Sequence, residues 1–290
     1  MLERYAEFCF DQAGPYVLDY VPYFEDLRPQ LTKSGIEISL PEYVSMMVFS
    51  AVLTSILSFV FFGILFLLSM GASGIIMALV FSVVALAGSF VGFYLYPVLM
   101  VKNRSSQIRD TLPFATMYLS TLAGTGTALP EIFGNLAETE EYGEVSKEAE
   151  KIHRDIETFG MDAGEAMKRA AERTPSKDFR ELVWGINHVL TTGGSLREFL
   201  RERASSLMTD YQRRVEEFAD SLSLIVEMYI TVVIVGSIIF TSMSAVMSSF
   251  ASFDPGTIVV VQATAIFFGL PIISGMFILL IRGISPGGIR

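Results

Sequence analysis

Few residues of this chain have the types and spacing that chemistry needs. Its 290 residues include two histidines and one cysteine. Gly71-Ala72-Ser73-Gly74 has the bare pattern of an intramembrane serine nucleophile, but such a serine needs a base beside it. His153 and His188 both fall in a distant, charged stretch, so the tetrapeptide reads as a turn. Two histidines are too few for a usual metal cluster, and Cys9 alone cannot close an internal disulfide. The sequence holds no Gly-Lys pair, which argues against the phosphate-binding loop of the common ATPases. Gly124-x-Gly126 lacks the third glycine of a dinucleotide fingerprint and follows a helical pattern instead of a strand. The expectation is a protein that is not an enzyme and carries no cofactor and no metal.

Charged side chains in particular settings are the remaining candidates. Lys168, Arg169 and Arg173 share one expected helix, and Arg197, Arg201 and Arg203 share another. The plain reading is two solvated faces. The functional one is a docking surface, because a guanidinium can grip a carboxylate with two parallel hydrogen bonds. Glu227 lies inside an apolar run, where ionisable groups are rare and often functional. It either pairs or snorkels near the membrane interface, or makes an intramembrane contact. His153 reads as a solvated helix residue, His188 as packed or interfacial, and Trp184 as a core or interface anchor. The formal net charge of −10 gives no reason to expect nucleic acid as a partner.

The elements that must position these residues are largely membrane-spanning. The chain is 51% hydrophobic and 18% charged, where soluble domains average roughly 25% charged. No charge occurs from Tyr43 to Val101. As one helix that run would be nearly 90 Å long at about 1.5 Å per residue, against a bilayer core of about 30 Å. A hairpin fits, turning at residues 71–74. A second run, Ser221 to Ile281, holds only Glu227 and Asp254, and Asp254-Pro255-Gly256 is a turn signal. The expected fold is therefore an all-α membrane protein with four transmembrane helices in two hairpins flanking a cytoplasmic helical bundle. The spans are placed at 44–70, 75–101, 223–248 and 258–281. The bundle occupies 102–222, an amphipathic segment 1–43, and a tail 282–290.

Orientation follows from the basic residues. Of 21 Lys and Arg, three lie in 1–43, sixteen in 102–222 and two in the tail. The hairpin turns have none. By the positive-inside rule both termini and the bundle are cytoplasmic in a multi-pass protein of the cytoplasmic membrane. The first 43 residues lack the basic start and apolar stretch of a signal peptide.

Within 1–43, Gly14-Pro15, Pro22 and Pro29 punctuate short helices, and a dense apolar set suggests packing on the membrane surface or the central domain. Ser39 and Glu42 fit a capping box, so the first span should start near Leu40. In the bundle, helices are expected from about Ser106 to Ala123, with Pro113 as either a kink or the true start, and from Leu129 to Ala137, Val145 to Phe159 and Asp162 to Arg173. Another starts at Thr174-Pro175, with Pro at the first helical position, and ends at Gly193-Gly194. Ser195 and Glu198 cap the last, which runs without Gly or Pro to Val235 and so from the bundle into the third span. The stretches from Leu112 and from Phe179 each read helix, glycine turn, then Leu-x-Glu helix start, which suggests an internal repeat of two helical hairpins.

These residues resemble a known family. The Leu112-Pro113 start, the Gly126-Thr127-Ala128-Leu129 turn, the stretch Gly160 to Ala166, the stretch Arg173 to Phe179 and Gly193-Gly194-Ser195-Leu196 occur in the order seen in type II secretion F-domain proteins. Those proteins are the membrane platforms of type II secretion, type IV pilus, tight-adherence and archaeal pilus or archaellum assembly. The chain looks closest to the tight-adherence and archaeal forms, with one cytoplasmic domain where many pilus-type members have two. The resemblance implies an adaptor between a hexameric secretion ATPase and prepilin-like subunits. It implies a homodimer or a paralogous platform partner, with membrane lipid around the spans. The basic residues would then be candidates for ATPase docking and Glu227 for a contact in the membrane. A small multi-pass transporter or channel with a cytoplasmic regulatory domain is the alternative. Transporters usually place several ionisable groups or broken helices at mid-membrane.

Overall fold

The computed structural model describes residues 2–36, 38–70, 74–250, 256, 260 and 263–284, and helix is the regular structure among them. The chain divides into two compact units, Met1–Leu200 and Arg201–Arg290. The helices are α1 (Leu2–Val17), α2 (Arg28–Ser34), α3 (Leu40–Met70), α4 (Gly74–Gly124), α5 (Leu129–Glu138) and α6 (Glu144–Glu157), followed by α7 (Ala163–Arg173), α8 (Lys177–Thr192), α9 (Leu196–Tyr229), α10 (Gly236–Phe250) and α11 (Leu270–Ile284). A 3₁₀ segment, Leu18–Leu27, joins α1 to α2 and kinks at Phe24.

Three helical stretches are long and apolar enough to cross a membrane: Leu40–Leu67, Ile75–Gly124 and Leu196–Val246. Ile266–Ile281 is a shorter apolar helix, so three spans and not four are evident among the described residues. The turn residues Gly71, Ala72, Ser73, Asp254 and Pro255 and the tail from Ser285 lie outside the described residues.

In the first unit, α3 and α4 pack against each other. The Ser55 and Ser82 hydroxyls share a hydrogen bond at 2.8 Å, and the Phe62 and Phe81 rings stack with centroids 4.7 Å apart. α1 and α2 fold back on this pair. Ala6, Cys9, Val17, Leu27 and Leu31 share a core with Tyr43, Val44 and Met47 of α3. The Tyr43 hydroxyl donates to the Phe93 carbonyl at 2.7 Å. Gly14-Pro15 does not break α1, which continues through Val17. Ser39 N–H donates to Glu42 Oε2 at 3.0 Å, the capping box that starts α3 at Leu40.

The expected helix from Ser106 needs correction. α4 runs unbroken from Gly74 to Gly124, with Pro97 and Pro113 inside it. An interior proline costs about 3 kcal/mol. Ile108, Leu112, Ala115 and Leu119 are buried one turn apart on either side of Pro113, and that packing offsets the lost backbone bond. α5 packs on α6 and α7 on α8, with α4 beside α5, α6 and α8.

The helix expected from Thr174-Pro175 also starts later. Ser176 is the N-cap, its hydroxyl accepting from Phe179 N–H at 3.4 Å, and α8 begins at Lys177. Three other stops and caps are as the sequence indicates. Asp162 accepts from Gly164 N–H at 2.9 Å, and Gly160 and Gly193 adopt positive φ of 64° and 72°.

In the second unit, α10 and the residues before it present mostly exposed apolar side chains, as does α11. A π-helical turn, Ile230–Val235, links α9 to α10, and another, Ala265–Gly269, precedes α11. The Tyr229 hydroxyl shares a hydrogen bond with Ser274 at 3.3 Å, and its ring meets Phe277 edge-on at 5.4 Å.

Candidate functional site

The bundle is built on two similar hairpins. In the first, the end of α4 leads through Gly126, at φ 78°, into α5 at Leu129; in the second, α8 leads through Gly193, at φ 72°, into α9 at Leu196. Both glycines occupy the left-handed region that a side chain disfavours. The buried positions correspond in register as well. Leu112, Ala115, Thr116 and Leu119 in one copy match Phe179, Leu182, Val183 and Ile186 in the other, and all eight are buried. Each set follows the one-turn spacing of a single helix face.

A buried ionic network joins α4 to α6 and α7. Arg104 donates to Glu144 at 2.6 Å and to Glu148 at 2.5 Å. Glu148 uses its other oxygen to accept from Arg173 at 2.8 Å, and Arg173 also reaches Asp155 at 3.0 Å. Arg104 further donates to the Lys33 carbonyl at 3.0 Å, so the network ties α2 and α4 to α6 and α7. A Cβ on Gly35 would lie 3.2 Å from the Arg104 guanidinium, so glycine leaves room for it. Burial pushes the Glu144 carboxyl up, but hydrogen bonds from Lys147 and Arg104 outweigh it and hold the group below its ordinary value.

The six basic candidates fall in different surroundings. Arg173 is a member of this interior network, with its side chain 16% exposed. Arg169 lies at its edge, 3.8 Å from Asp155 and 55% exposed. Lys168, Arg197 and Arg201 are exposed, and Arg203 is half-buried. Glu227 is exposed on α9, and its carbonyl accepts from the Thr231 hydroxyl at 3.0 Å.

His153, expected as a solvated residue, is instead partly enclosed. His153 is half-buried in the seam of α5 and α6, its Nδ1 2.9 Å from the Pro130 carbonyl oxygen. Gly134 makes that approach possible, since a Cβ there would sit 3.1 Å from the ring. His188 is exposed, one turn from the exposed Trp184 on the same face of α8. That aromatic face was legible in outline. Burial of Phe179, Leu182, Val183 and Ile186 leaves positions 184 and 188 on the opposite side.

Comparison with known proteins bears on this bundle directly. Residues 115–243 match the family described as type II secretion system (T2SS), protein F. An uncharacterized protein of Methanocaldococcus jannaschii is 27% identical over 200 residues, which cover 66% of this chain and 33% of that protein. Flagella accessory protein J of the same organism is 28% identical over 137 residues, 47% of this chain and 24% of that protein. Flagella accessory protein J of Methanococcus voltae is 26% identical over 141 residues, 48% of this chain and 25% of that protein. The chain thus spans between 24% and 33% of the length of these relatives. No solved structure matches it. The likeness to F-type platform proteins that the motifs indicate is present at the level of the domain.

Proposed function

We propose that this chain is an integral membrane platform of a pilus-like assembly machine, passing motion from a cytoplasmic hexameric secretion ATPase to prepilin-like subunits in the membrane. The observation that carries this reading is where the family match falls. Its residues, 115–243, take in the end of α4, the bundle helices α5 to α8, α9 and the first part of α10. The helical stretch Leu196–Val246 is continuous, so it suits a part that transmits displacement along its axis. The relatives named as flagella accessory proteins favour an archaellum-like or archaeal pilus setting.

In this reading the protein has four spans, with both termini and the bundle on the cytoplasmic side of the cytoplasmic membrane. It acts as a homodimer or with a paralogous platform partner. In the first unit the exposed cations Lys168, Arg169 and Arg197 dock the ATPase, and the exposed pair Trp184 and His188 adds an aromatic anchor of the kind that dominates interfaces. In the second unit Arg201 and Arg203 are further ATPase contacts, and Glu227 contacts a subunit within the membrane.

The test is direct binding. Full-length protein in nanodiscs is titrated with a purified hexameric secretion ATPase from the same organism. Saturable binding that weakens about tenfold on Trp184→Ala, a loss of ~1.4 kcal/mol, supports the reading. Absence of binding by the unaltered protein, together with solute flux in liposomes, overturns it in favour of a transporter.

A further inference from the structure

The N-terminal segment buries one side against α3 and leaves another side apolar and uncovered. Leu40, Tyr43, Val44, Met46, Met47 and Ala51 of α3 are buried, whereas Val52, Leu53, Ile56 and Leu57 are exposed. The change falls where α1 ends its contact with α3. The Tyr5 hydroxyl shares a hydrogen bond with Ser50 at 3.0 Å, and the Phe8 ring meets Phe49 edge-on at 6.0 Å. α1 therefore takes the place of lipid along the first turns of α3.

The neighbouring helix shows how far lipid extends. Exposed apolar side chains on α4 continue from Ile75 to Leu99 and Met100, and the first charge is Lys102. The N-terminal segment meets α4 inside that stretch at Phe24, whose ring packs against Phe90 with centroids 6.2 Å apart. The segment around Phe24 thus lies beside a part of α4 that still presents an apolar surface, whereas Lys33 at the end of α2 lies beside Arg104, past that stretch.

The uncovered side chains of the segment have the composition of a membrane interface. Phe8 is 54% exposed, Leu18 50%, Tyr20 62% and Tyr23 81%. Aromatic residues with one polar end favour the boundary between headgroups and acyl chains. Arg4, Glu7 and Asp11 form a row on α1, three and four residues apart, that borders Phe8 and is exposed as well. Such a helix has one edge for acyl chains and one for water and headgroups.

We infer that residues 5–23 form a lipid-contacting collar, seated at the headgroup boundary of the leaflet in which α3 begins, with Phe8, Leu18, Tyr20 and Tyr23 as its lipid contacts. The partner is the bilayer itself. Because the exposed charges of the segment are mostly acidic, including Glu7, Asp11, Glu25 and Asp26, the contact does not depend on anionic lipid.

The chain has a single tryptophan, Trp184, which makes the test clean. In a Trp184→Phe background, Tyr23→Trp and, separately, Phe8→Trp are placed in the full-length protein. Each is reconstituted in phosphatidylcholine nanodiscs with bromine near the glycerol end of the acyl chains. Leu57→Trp serves as the lipid-facing standard and native Trp184 as the exposed bundle standard. The collar is supported if both tryptophans lose emission to the brominated lipid as strongly as the Leu57→Trp standard, resist iodide, and behave alike when phosphatidylglycerol is added. It is overturned if iodide quenches them as it quenches Trp184, which places the segment in water. It is equally overturned if neither agent quenches them, which places a protein surface over the segment. Tyr23 is so exposed that its replacement leaves the fold intact, so a failure of Phe8→Trp to fold does not remove the test.

Discussion

Glu148 and Arg173 meet at 2.8 Å inside the bundle, and the Glu148 side chain has no exposed surface at all. The other Glu148 oxygen takes Arg104, so one carboxylate faces two guanidinium groups from two different helices. Taking such charges out of water is costly, and only good geometry with further hydrogen bonds repays it. The network is therefore more a device of register than a source of stability. It joins α4, α6 and α7 in one arrangement, and through the Lys33 carbonyl it includes α2.

Removing the shared anion should be severe. Glu148→Gln leaves Arg104 and Arg173 facing a neutral amide and is expected to cost ~3–5 kcal/mol. Urea unfolding of the full chain in detergent measures it. Arg169→Ala, at the exposed edge of the same network, should cost less than ~1 kcal/mol. Equal losses for the two variants would contradict the assignment.

Acid should loosen the same junction. The folded Glu144 carboxyl titrates below its ordinary value of 4.5, so its contribution is complete above that pH and disappears as pH falls through the lower folded value. The urea midpoint should accordingly drop on the acid side of 4.5, and Glu144→Gln should flatten that part of the profile. An unchanged profile in the variant would show that other carboxylates govern acid sensitivity.

Close packing of α8 on the start of α9 rests on a missing side chain. A Cβ on Gly185 would overlap the tip of the Phe199 ring. Gly185→Ala should therefore cost ~1–3 kcal/mol, since the ring must swing out of its site. Adding Phe199→Leu should recover part of that loss. If the double variant is as unstable as the sum of the two single ones, the residues do not meet as described.

The cap of α7 offers a milder test. Asp162→Ala removes the acceptor of the Gly164 N–H and should lower stability by ~0.5–2 kcal/mol. Asp162→Asn should recover most of it. Circular dichroism melting of the three proteins in one detergent separates these outcomes.

Much of the helical layout is written locally. Ser39 with Glu42, Asp162, Gly160 and Gly193 act on backbone groups within a few residues of themselves, so their types and spacing locate helix ends without knowledge of the fold. The two hairpins are legible for the same reason, because Gly126 and Gly193 stand at equal distances from the helix starts Leu129 and Leu196. Lys177 shows the limit of local reading. Pro175 suits a first helical turn, but the Ser176 cap one residue closer to Phe179 sets the start instead.

By itself, the order of apolar and charged residues determined an all-helical membrane protein with a polar bundle between its apolar runs, because lipid tolerates no unpaired backbone and few charges. Tertiary structure alone decided which cations are free to meet a partner. Arg173 looks like Lys168 and Arg169 in sequence, yet its fate depends on Glu148 and Asp155, which lie 25 and 18 residues away and reach it only once α6 and α7 pack. The same holds for α4, which passes from the apolar run into the bundle without a break, and for α1, whose seat on α3 is set by contacts such as Tyr5 with Ser50. Long-range contacts of this kind have no local signature, since they arise from the surfaces that helices present after they form.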